Sequence, residues 1–398
     1  MGVVSAVGNS VPDFFDALVS GRSGVRRLPW REDTVAAVAD FVADAHFTRM
    51  QLNTLDRFAQ FGVVATDQAV SQAGLLESDF AGSRAGVYFG SGFGGATAIE
   101  SACRAFITGE GRVNPMTIVL TMTNAATAHV SLKYGIRGPS LTYSIACASA
   151  AVAIGEAFRA IRDGYLELAI AGGSEALLVP NVIAGWNAMR VLATPDASHP
   201  ERSCRPFSLG RTGLVLGEGA GALVLESLDH AKARGAVPLA EIAGYGIASD
   251  AAHLAKPEAS GQVAAMRAAL EDAALAPAAI GYINAHGTAT PVGDVVETQS
   301  IRQVFAQAAD SVAVSSTKAL HGHLLGASGV VEFIAALMAM ITGTLPPTSH
   351  LAKPDPDCNL DYVPNEARRD VPLDAVMSNS FAFGGTNAVL VARQALRG

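Results

Sequence analysis

The chain has 398 residues, half of them hydrophobic and 16% charged, with a formal net charge of −8 at pH 7. This length indicates two or three domain-sized units, and the acidic balance argues against nucleic acid as a partner. The sequence indicates no apolar run of the roughly 18 residues that a membrane span needs and no signal peptide. Four scattered cysteines without CxxC spacing favour a reducing compartment and argue against structural zinc. We therefore expect a cytoplasmic α/β protein.

The first half of the chain alternates helix and strand patterns. Apolar residues at helical spacing predict helices over residues 11–19 and 55–73. A buried strand over 86–90 runs into GSGFGG, which lacks the Lys-Ser/Thr of a phosphate loop, so we favour close backbone packing beside a pocket over nucleotide binding. Further strands are predicted at 167–171 and, as a pair, within 214–226.

Residues 141–164 form the central unit of the first half. A β-type run over 141–145 breaks into a small-residue turn that contains Cys147, and an amphipathic helix pattern follows and stops at Gly164. Unpaired N–H groups and the helix dipole at such a helix N-terminus predict a lowered thiol pKa. A cysteine at such a turn is more often a small buried hydrophobe, so the structural and catalytic interpretations both stay open on this stretch alone.

The second half repeats the alternation. Strands are predicted at 239–245, 280–284, 312–316, 375–380 and 387–392, and helices at 228–234, 262–275, 294–306 and 325–341. Such alternation predicts parallel-rich sheets layered with helices. A strand, a polar turn and a helix stand in comparable places near 144–149 and 315–328, which indicates an internal duplication.

Polar side chains follow two strands of the second half. His286, Thr288 and Thr290 stand in NAHGTATPVGD, directly after a buried strand. His286 is as compatible with a structural hydrogen bond as with catalysis. Lys318 follows the next strand, and Glu332 is the one acid early in the apolar helix; a buried acid needs a partner, and Lys318 is the candidate.

Four motifs in this order resemble the β-ketoacyl-acyl carrier protein synthases, most closely the II-type condensing enzymes: ACAS around Cys147, NAHGTATPVGD, SSTKALHGHLLGASG and NSFAFGGTN. The resemblance runs from Gly2 to the C-terminus. It implies a thiolase-like duplicated α/β fold in five α-β-α-β-α layers, usually dimeric, with halves at 1–235 and 236–398.

The resemblance also implies a chemistry. Cys147 would accept an acyl group from a carrier-protein thioester, and malonyl carrier protein would lose CO2 to give the enolate that attacks it. His286 and His323 would donate to the malonyl thioester oxygen, and the N–H groups of Cys147 and Phe383 would form the oxyanion hole. Lys318, paired with Glu332, would orient His323.

Further residues follow from the resemblance. Phe383 would gate the acyl pocket. The expected substrate-contacting residues are Phe93, Thr288, Thr290, Phe381 and Gly384. Phe93 stands where relatives have a smaller residue, which predicts a pocket that favours short, planar or unsaturated chains; packing of Phe93 elsewhere in the core is the alternative. No metal and no organic cofactor is expected beyond the phosphopantetheine arm of the acyl carrier protein.

Three departures from the family pattern bear on partners and gating. The segment before Asp56, often basic in relatives, keeps only Arg49, so carrier docking by Arg202, Arg205 or a partner subunit is the alternative. His321 replaces a usual threonine and Ala382 a usual glycine. The partners expected are acyl carrier protein and a second ketosynthase-like subunit in a homodimer or heterodimer.

Two other functions were weighed against a working synthase in fatty acid, polyene or polyketide-like elongation. One is a non-catalytic ketosynthase-like partner subunit of a heterodimeric synthase, which would keep its cysteine by ancestry only. Chain-length-factor-like partners lack that cysteine, whereas this chain has Cys147 and both histidines. Thiolases share the fold but lack the HGTxTxxGD and Lys-x4-His arrangement. The sequence therefore favours an active condensing enzyme.

Overall fold

A computed structural model describes residues 1–81 and 84–395 of the chain. Its strands are β1 (Gly2–Ser5), β2 (Val25–Leu28), β3 (Arg31–Ala37), β4 (Ala85–Gly90), β5 (Ser140–Tyr143), β6 (Leu168–Glu175), β7 (Leu216–Gly217), β8 (Gly219–Glu226), β9 (Glu241–Ser249), β10 (Ile280–Asn284), β11 (Ala313–Ser315), β12 (Ala375–Phe381) and β13 (Thr386–Arg393). Its α-helices are α1 (Val11–Ser20), α2 (Arg49–Leu52), α3 (Arg57–Ala73), α4 (Glu77–Ala81), α5 (Ala96–Thr108), α6 (Thr117–Thr121), α7 (Ala125–Tyr134), α8 (Ser149–Arg162), α9 (Pro180–Ala188), α10 (Leu228–Ala233), α11 (Ala259–Asp272), α12 (Gly293–Phe305), α13 (Lys318–His321) and α14 (Ser328–Thr342).

Ten strands form two five-stranded sheets of the same order, β1-β8-β6-β4-β5 and β9-β13-β12-β10-β11. In each sheet the first two pairs are antiparallel and the last two are parallel. The first sheet uses residues 2–226 and the second uses residues 241–393. The duplication expected from the alternating pattern is therefore present, while the boundary at residue 235 stays a prediction.

Helices α8 and α14 pack against each other and against strands of both sheets. On the outer faces, α3 and α7 cover the first sheet, and α11 and α12 cover the second. The result is the five-layer α-β-α-β-α arrangement that the resemblance implies. The remaining strands form a small third sheet of order β2-β3-β7.

Helix α14 is buried because its sequence is almost entirely apolar, and α8 buries the apolar residues of its first half. Val330, Val331 and Phe333 of α14 are fully buried, and burial of each such side chain contributes about 1.5–3 kcal/mol. The two helices approach closely at Gly329, where a Cβ would lie 2.8 Å from the backbone nitrogen of Ala151.

One apolar segment is longer than the sequence analysis expected. Residues Leu325–Thr342 are long and apolar enough to cross a membrane, but 83% of this segment is buried inside the protein. It is a core helix, as its place between the two sheets explains.

Some elements differ from the sequence expectation. The helices α5, α6 and α7 were not predicted: α5 buries only Ala96 of its 13 residues, and α6 has only 5 residues. The predicted strand pair at 214–226 is two strands of different sheets. Glu218 lies between the two strands, and its carboxylate accepts hydrogen bonds from the backbone N–H of Ala39 and from Arg57. This residue separates the end of the first strand from the start of the second.

Candidate active site

Cys147 lies on a tight turn between β5 and α8. Residues Ala146–Ala148, named here the cysteine turn, form one turn of 3-10 helix whose first residue has a left-handed φ of 41°. The hydroxyl of Ser149 closes the turn, since it donates to the carbonyl of Ala146 (2.7 Å) and accepts from the N–H of Ile145 (2.8 Å). The thiol is thus buried at the N-terminal end of α8, where the sequence places it.

A second turn of the same form precedes α14. Residues Leu325–Ala327, named here the glycine turn, also form one turn of 3-10 helix, and Leu325 has a φ of 44°. The two turns pack against each other between the sheets. His323 stands two residues before the glycine turn, so this packing brings it to Cys147.

The thiol faces two imidazoles from the other half of the molecule. Nε2 of His323 lies 3.0 Å from Sγ of Cys147. The ring centroids of His286 and His323 are 5.3 Å apart, with the planes nearly perpendicular. The sulfur and one nitrogen of each ring lie within 4.8 Å of one another. The residues that the four motifs single out therefore converge on one point.

The hydrogen bonds of His323 fix its tautomer. The N–H of Leu325 donates to Nδ1 of His323 (3.3 Å), which makes Nδ1 an acceptor. The Ser328 hydroxyl is 2.7 Å from the same nitrogen, which already accepts from Leu325, so this hydroxyl donates to Nδ1 while it accepts from the N–H of Leu324 (2.9 Å). Nε2 therefore carries the ring proton and points it at the sulfur.

His286 is held from behind through its backbone. The N–H groups of His286 and Gly287 donate to the buried carboxylate of Glu297, at 2.8 and 2.7 Å. Nδ1 of His286 is buried and has no hydrogen-bond partner among the residues that the structure describes. Burial, with the positive charge of Lys318, lowers the pKa values of His286 and His323 well below the ordinary histidine value, so both rings are neutral.

Lys318 and Glu332 form a fully buried ion pair, as predicted. The Lys318 amine also donates to the carbonyl oxygen of His286 (2.6 Å). The expectation that Lys318 orients His323 needs correction, because its hydrogen bond is to the backbone of His286 and the ring of His323 is bonded by Ser328. Burial raises the pKa of Glu332 to about 7 against the opposing effect of Lys318.

The thiol pKa also differs from the sequence expectation. Burial raises the pKa of Cys147 to about 11, although the N–H of Phe383 and the charge of Lys318 act to lower it. The predicted lowering at the helix N-terminus is wrong for the resting protein, because desolvation of a thiolate outweighs these favourable contacts. Cys147 is therefore a protonated thiol, and its sulfur accepts a hydrogen bond from the Nε2–H of His323.

A cavity of about 280 Å³ opens onto Cys147, His286 and His323. Its walls include four more of the expected residues: Thr288, Thr290, Phe381 and Phe383. The rings of Phe383 and Trp186 pack with their centroids 5.7 Å apart, beside the thiol. Gly384 is exposed and does not line this cavity.

Phe93 does not line this cavity either. Its ring is 46% exposed in the single chain, and its N–H donates to the carboxylate of Glu175 (3.1 Å). A limit on acyl length set by Phe93 stays a prediction.

Sequence reasoning missed Ser328 and Glu297, the two residues that hold the histidines. Ser328 has the same place after the glycine turn as Ser149 has after the cysteine turn. Alignment of the two turns would have singled it out. The bond from Glu297 to the backbone of His286 leaves no such pattern.

A thiol that faces two neutral imidazoles, between the halves of a duplicated five-layer fold, defines a thiolase-fold acyltransferase that carries its acyl group on cysteine. Comparison with known proteins narrows this class. The family described as "Beta-ketoacyl synthase, N-terminal domain" matches residues 1–231, and "Beta-ketoacyl synthase, C-terminal domain" matches residues 239–352. The chain belongs to the β-ketoacyl synthase family.

Individual relatives agree with this assignment. The chain is 41% identical to 3-oxoacyl-[acyl-carrier-protein] synthase 2 of Staphylococcus aureus strain N315, over 98% of this chain and 96% of that protein. The ishigamide ketosynthase/chain length factor superimposes with a TM-score of 0.91 at 31% identity, covering 99% of this chain and 97% of that one. A type II polyketide acyl carrier protein in complex with its hexaketide-bound ketosynthase gives a TM-score of 0.90 at 30% identity, covering 99% and 98%.

Proposed function

We propose that this chain joins an acyl group held on Cys147 to malonyl-acyl carrier protein by decarboxylative Claisen condensation. The observation that carries the proposal is the 3.0 Å approach of Nε2 of His323 to the thiol, with His286 beside it. A structural cysteine needs neither imidazole, and thiol acylation followed by enolate formation uses both.

In the first half-reaction the sulfur of Cys147 attacks the acyl thioester of the carrier. The new thioester forms on Cys147, and the carrier leaves as its free thiol with the proton that Cys147 gives up. The N–H of Phe383, which already points at the sulfur, and the N–H of Cys147 would hold the developing oxyanion. Loss of one such donor typically costs about 10²–10³ in rate.

In the second half-reaction the malonyl carboxylate leaves as CO2, and its electron pair forms an enolate. Neutral imidazoles at His286 and His323 would donate N–H groups to the enolate oxygen, and the low pKa of each ring keeps it neutral. The enolate carbon then attacks the acyl thioester carbonyl, and the Cys147 sulfur leaves and regains a proton. We propose that no metal and no organic cofactor beyond the carrier's phosphopantetheine arm takes part.

We propose that the acidic acyl carrier protein docks near a cleft of about 920 Å³ lined by Arg202, Arg205 and Lys353. Arg205 pairs with Asp196, so the exposed amine of Lys353 is the more available cation. Charge complementarity of this kind steers association. A related ketosynthase has been solved in complex with its carrier protein.

We propose that a second ketosynthase-like chain, identical or related, covers the β5 edge of the first sheet. Apolar side chains are exposed on β5 and on the neighbouring helices: Leu141, Ile99, Phe106 and Ile118 are 44%, 42%, 83% and 67% exposed. Exposed apolar residues beside an unpaired sheet edge are typical of a protein interface. Such a dimer would work in the cytoplasm, where carrier-protein pathways run.

Intact-protein mass spectrometry after incubation with an acyl carrier thioester tests the proposal. We expect one acyl adduct on Cys147, none on Cys147→Ala, and turnover to a 3-oxoacyl carrier once malonyl carrier is added. A complex that keeps full activity after alkylation of Cys147 would instead support the non-catalytic partner subunit. The rates at which butyryl and myristoyl carriers acylate Cys147 test the prediction for Phe93. Equal rates would contradict it.

A further inference from the structure

Glu175, at the end of β6, is a fully buried carboxylate that the proposed reaction does not use. Within the described residues all the groups that bond it are neutral N–H or O–H donors. A buried charge without a cation is costly unless several hydrogen bonds satisfy it. The burial of the Glu175 carboxylate without a cation therefore requires an explanation beyond packing.

The four donors come from both halves of the molecule. Oε2 of Glu175 accepts from the N–H groups of Gly92 (2.7 Å) and Gly326 (3.0 Å). Oε1 accepts from the N–H of Phe93 (3.1 Å) and the hydroxyl of Ser91 (3.4 Å). The carboxylate thus joins the loop after β4 to the glycine turn of the second half.

Both glycines allow this approach because neither has a side chain. A Cβ on Gly92 would lie 2.9 Å from Oε2 of Glu175. A Cβ on Gly326 would lie 2.7 Å from the same oxygen and 2.5 Å from the nitrogen of Gly92. The carboxylate of Glu175 and the backbones of Gly92 and Gly326 therefore pack so closely that a Cβ at either glycine would clash.

The glycine turn in turn sets the state of His323. Leu325, next to Gly326, donates its N–H to Nδ1 of His323. Leu325 has a φ of 44°, a sparsely populated conformation that persists only where the surroundings hold it. The bond from Gly326 to Glu175 is one of the contacts that hold it.

We propose that Glu175 is a positioning residue: its carboxylate fixes the glycine turn so that His323 keeps its proton on Nε2, directed at Cys147. This inference rests on the proposed function for its catalytic consequence. It explains why an unpaired carboxylate is buried one turn away from the active site.

Glu175→Gln is the informative substitution, because the amide keeps the shape but has one acceptor oxygen and an NH2 group that would face N–H donors. Glu218→Gln is the matched control. Glu218 is also a buried glutamate, but its side chain bonds Arg57 and the N–H of Ala39 instead of the glycine turn. Glu175→Asp keeps the charge on a shorter side chain and should restore part of the loss.

Three measurements report on His323 without any condensation. In 15N spectra of histidine-labelled wild-type protein we expect a single Nε2–H tautomer for His323, and a mixture in Glu175→Gln. Alkylation of Cys147 by iodoacetamide should be about tenfold slower in Glu175→Gln than in the wild type. Malonyl-carrier decarboxylation should be about 10- to 100-fold slower at nearly constant KM. Small misplacements of a catalytic group have effects of this size. Glu218→Gln should lower the thermal midpoint and leave all three readouts unchanged.

The proposal would be overturned if Glu175→Gln had the same His323 spectrum and the same rates as the wild type. It would also be overturned if Glu218→Gln lost as much activity as Glu175→Gln. If Glu175→Gln does not fold, the wild-type spectrum still decides, because an Nδ1–H tautomer at His323 contradicts the inferred role. A wild-type protein that does not decarboxylate malonyl carrier would refute the proposed function, while the spectra and alkylation would still test Glu175.

Discussion

The cysteine turn and the glycine turn have the same backbone but different tasks. Each begins with a left-handed non-glycine residue, Ala146 or Leu325, and each leads into a central helix through a serine. At the middle position one turn has Cys147, whose thiol faces the cavity, and the other has Gly326, whose N–H bonds Glu175. Duplication has thus given one copy of the turn the nucleophile and the other the support of a histidine.

Cys147→Gly would make the two turns alike, and we expect the largest effect from it. Without the sulfur no acyl-enzyme can form, so condensation should fall by about 10⁴-fold or more. Intact mass after incubation with an acyl carrier measures this, and circular dichroism checks that the fold is kept. An acyl adduct on the variant would show that another residue is the nucleophile.

His286→Ala and His323→Ala separate the two imidazoles. Each should reduce malonyl-carrier decarboxylation by about 10²–10³-fold, because each removes a donor to the enolate oxygen. Only His323→Ala should also slow alkylation of Cys147, since of the two rings it is His323 that bonds the sulfur. His321→Ala is the control, because His321 bonds Thr317 instead; an equal loss there would argue against specific roles.

Gly326→Ala tests why the glycine turn has no side chain at the position of the cysteine. The new Cβ would lie 2.5 Å from the nitrogen of Gly92, and overpacking of this kind costs about 1–3 kcal/mol in unfolding free energy. Gly185→Ala is the control: this glycine lies in α9 with nothing within 4 Å of the added Cβ. Urea unfolding should rank the two variants; equal stabilities would contradict the close packing.

A loss of stability similar to that of Gly326→Ala is expected from the serines that close the turns. Ser149→Ala and Ser328→Ala each remove hydrogen bonds to the turn, at about 1–3 kcal/mol of unfolding free energy. Only Ser328 also bonds His323, so only Ser328→Ala should slow decarboxylation, by about tenfold. Steady-state rates measured beside thermal midpoints test this; a similar rate loss in both variants would mean that stability alone explains it.

The sequence predicts the catalytic residues better than their environment. Cys147, His286 and His323 each follow a strand in a motif of unusual composition, and their convergence agrees with the resemblance. The thiol pKa was predicted in the wrong direction because the depth of burial is not visible in the helix start. Glu175 and Gly326 are 151 positions apart, so their contact leaves no local pattern.

The fold followed the same division. Strands and the central helices were predicted because their periodicity is strong, whereas α5 buries only Ala96 and α6 has only 5 residues. Lys318 and Glu332 were paired correctly on the physical need of a buried acid for a cation. The hydrogen bond from Lys318 to the carbonyl of His286 depends on the exact separation of two strand ends, which composition does not fix.

The burial of α8 and α14 between the two sheets has a consequence for how the protein fails. Separation of the two halves would expose the apolar faces of α8 and α14. The same separation would move the imidazoles of His286 and His323 away from the sulfur of Cys147. Inactivation by mild denaturant and the onset of aggregation should therefore share one transition, and a polypeptide truncated after the first half would be inert and insoluble.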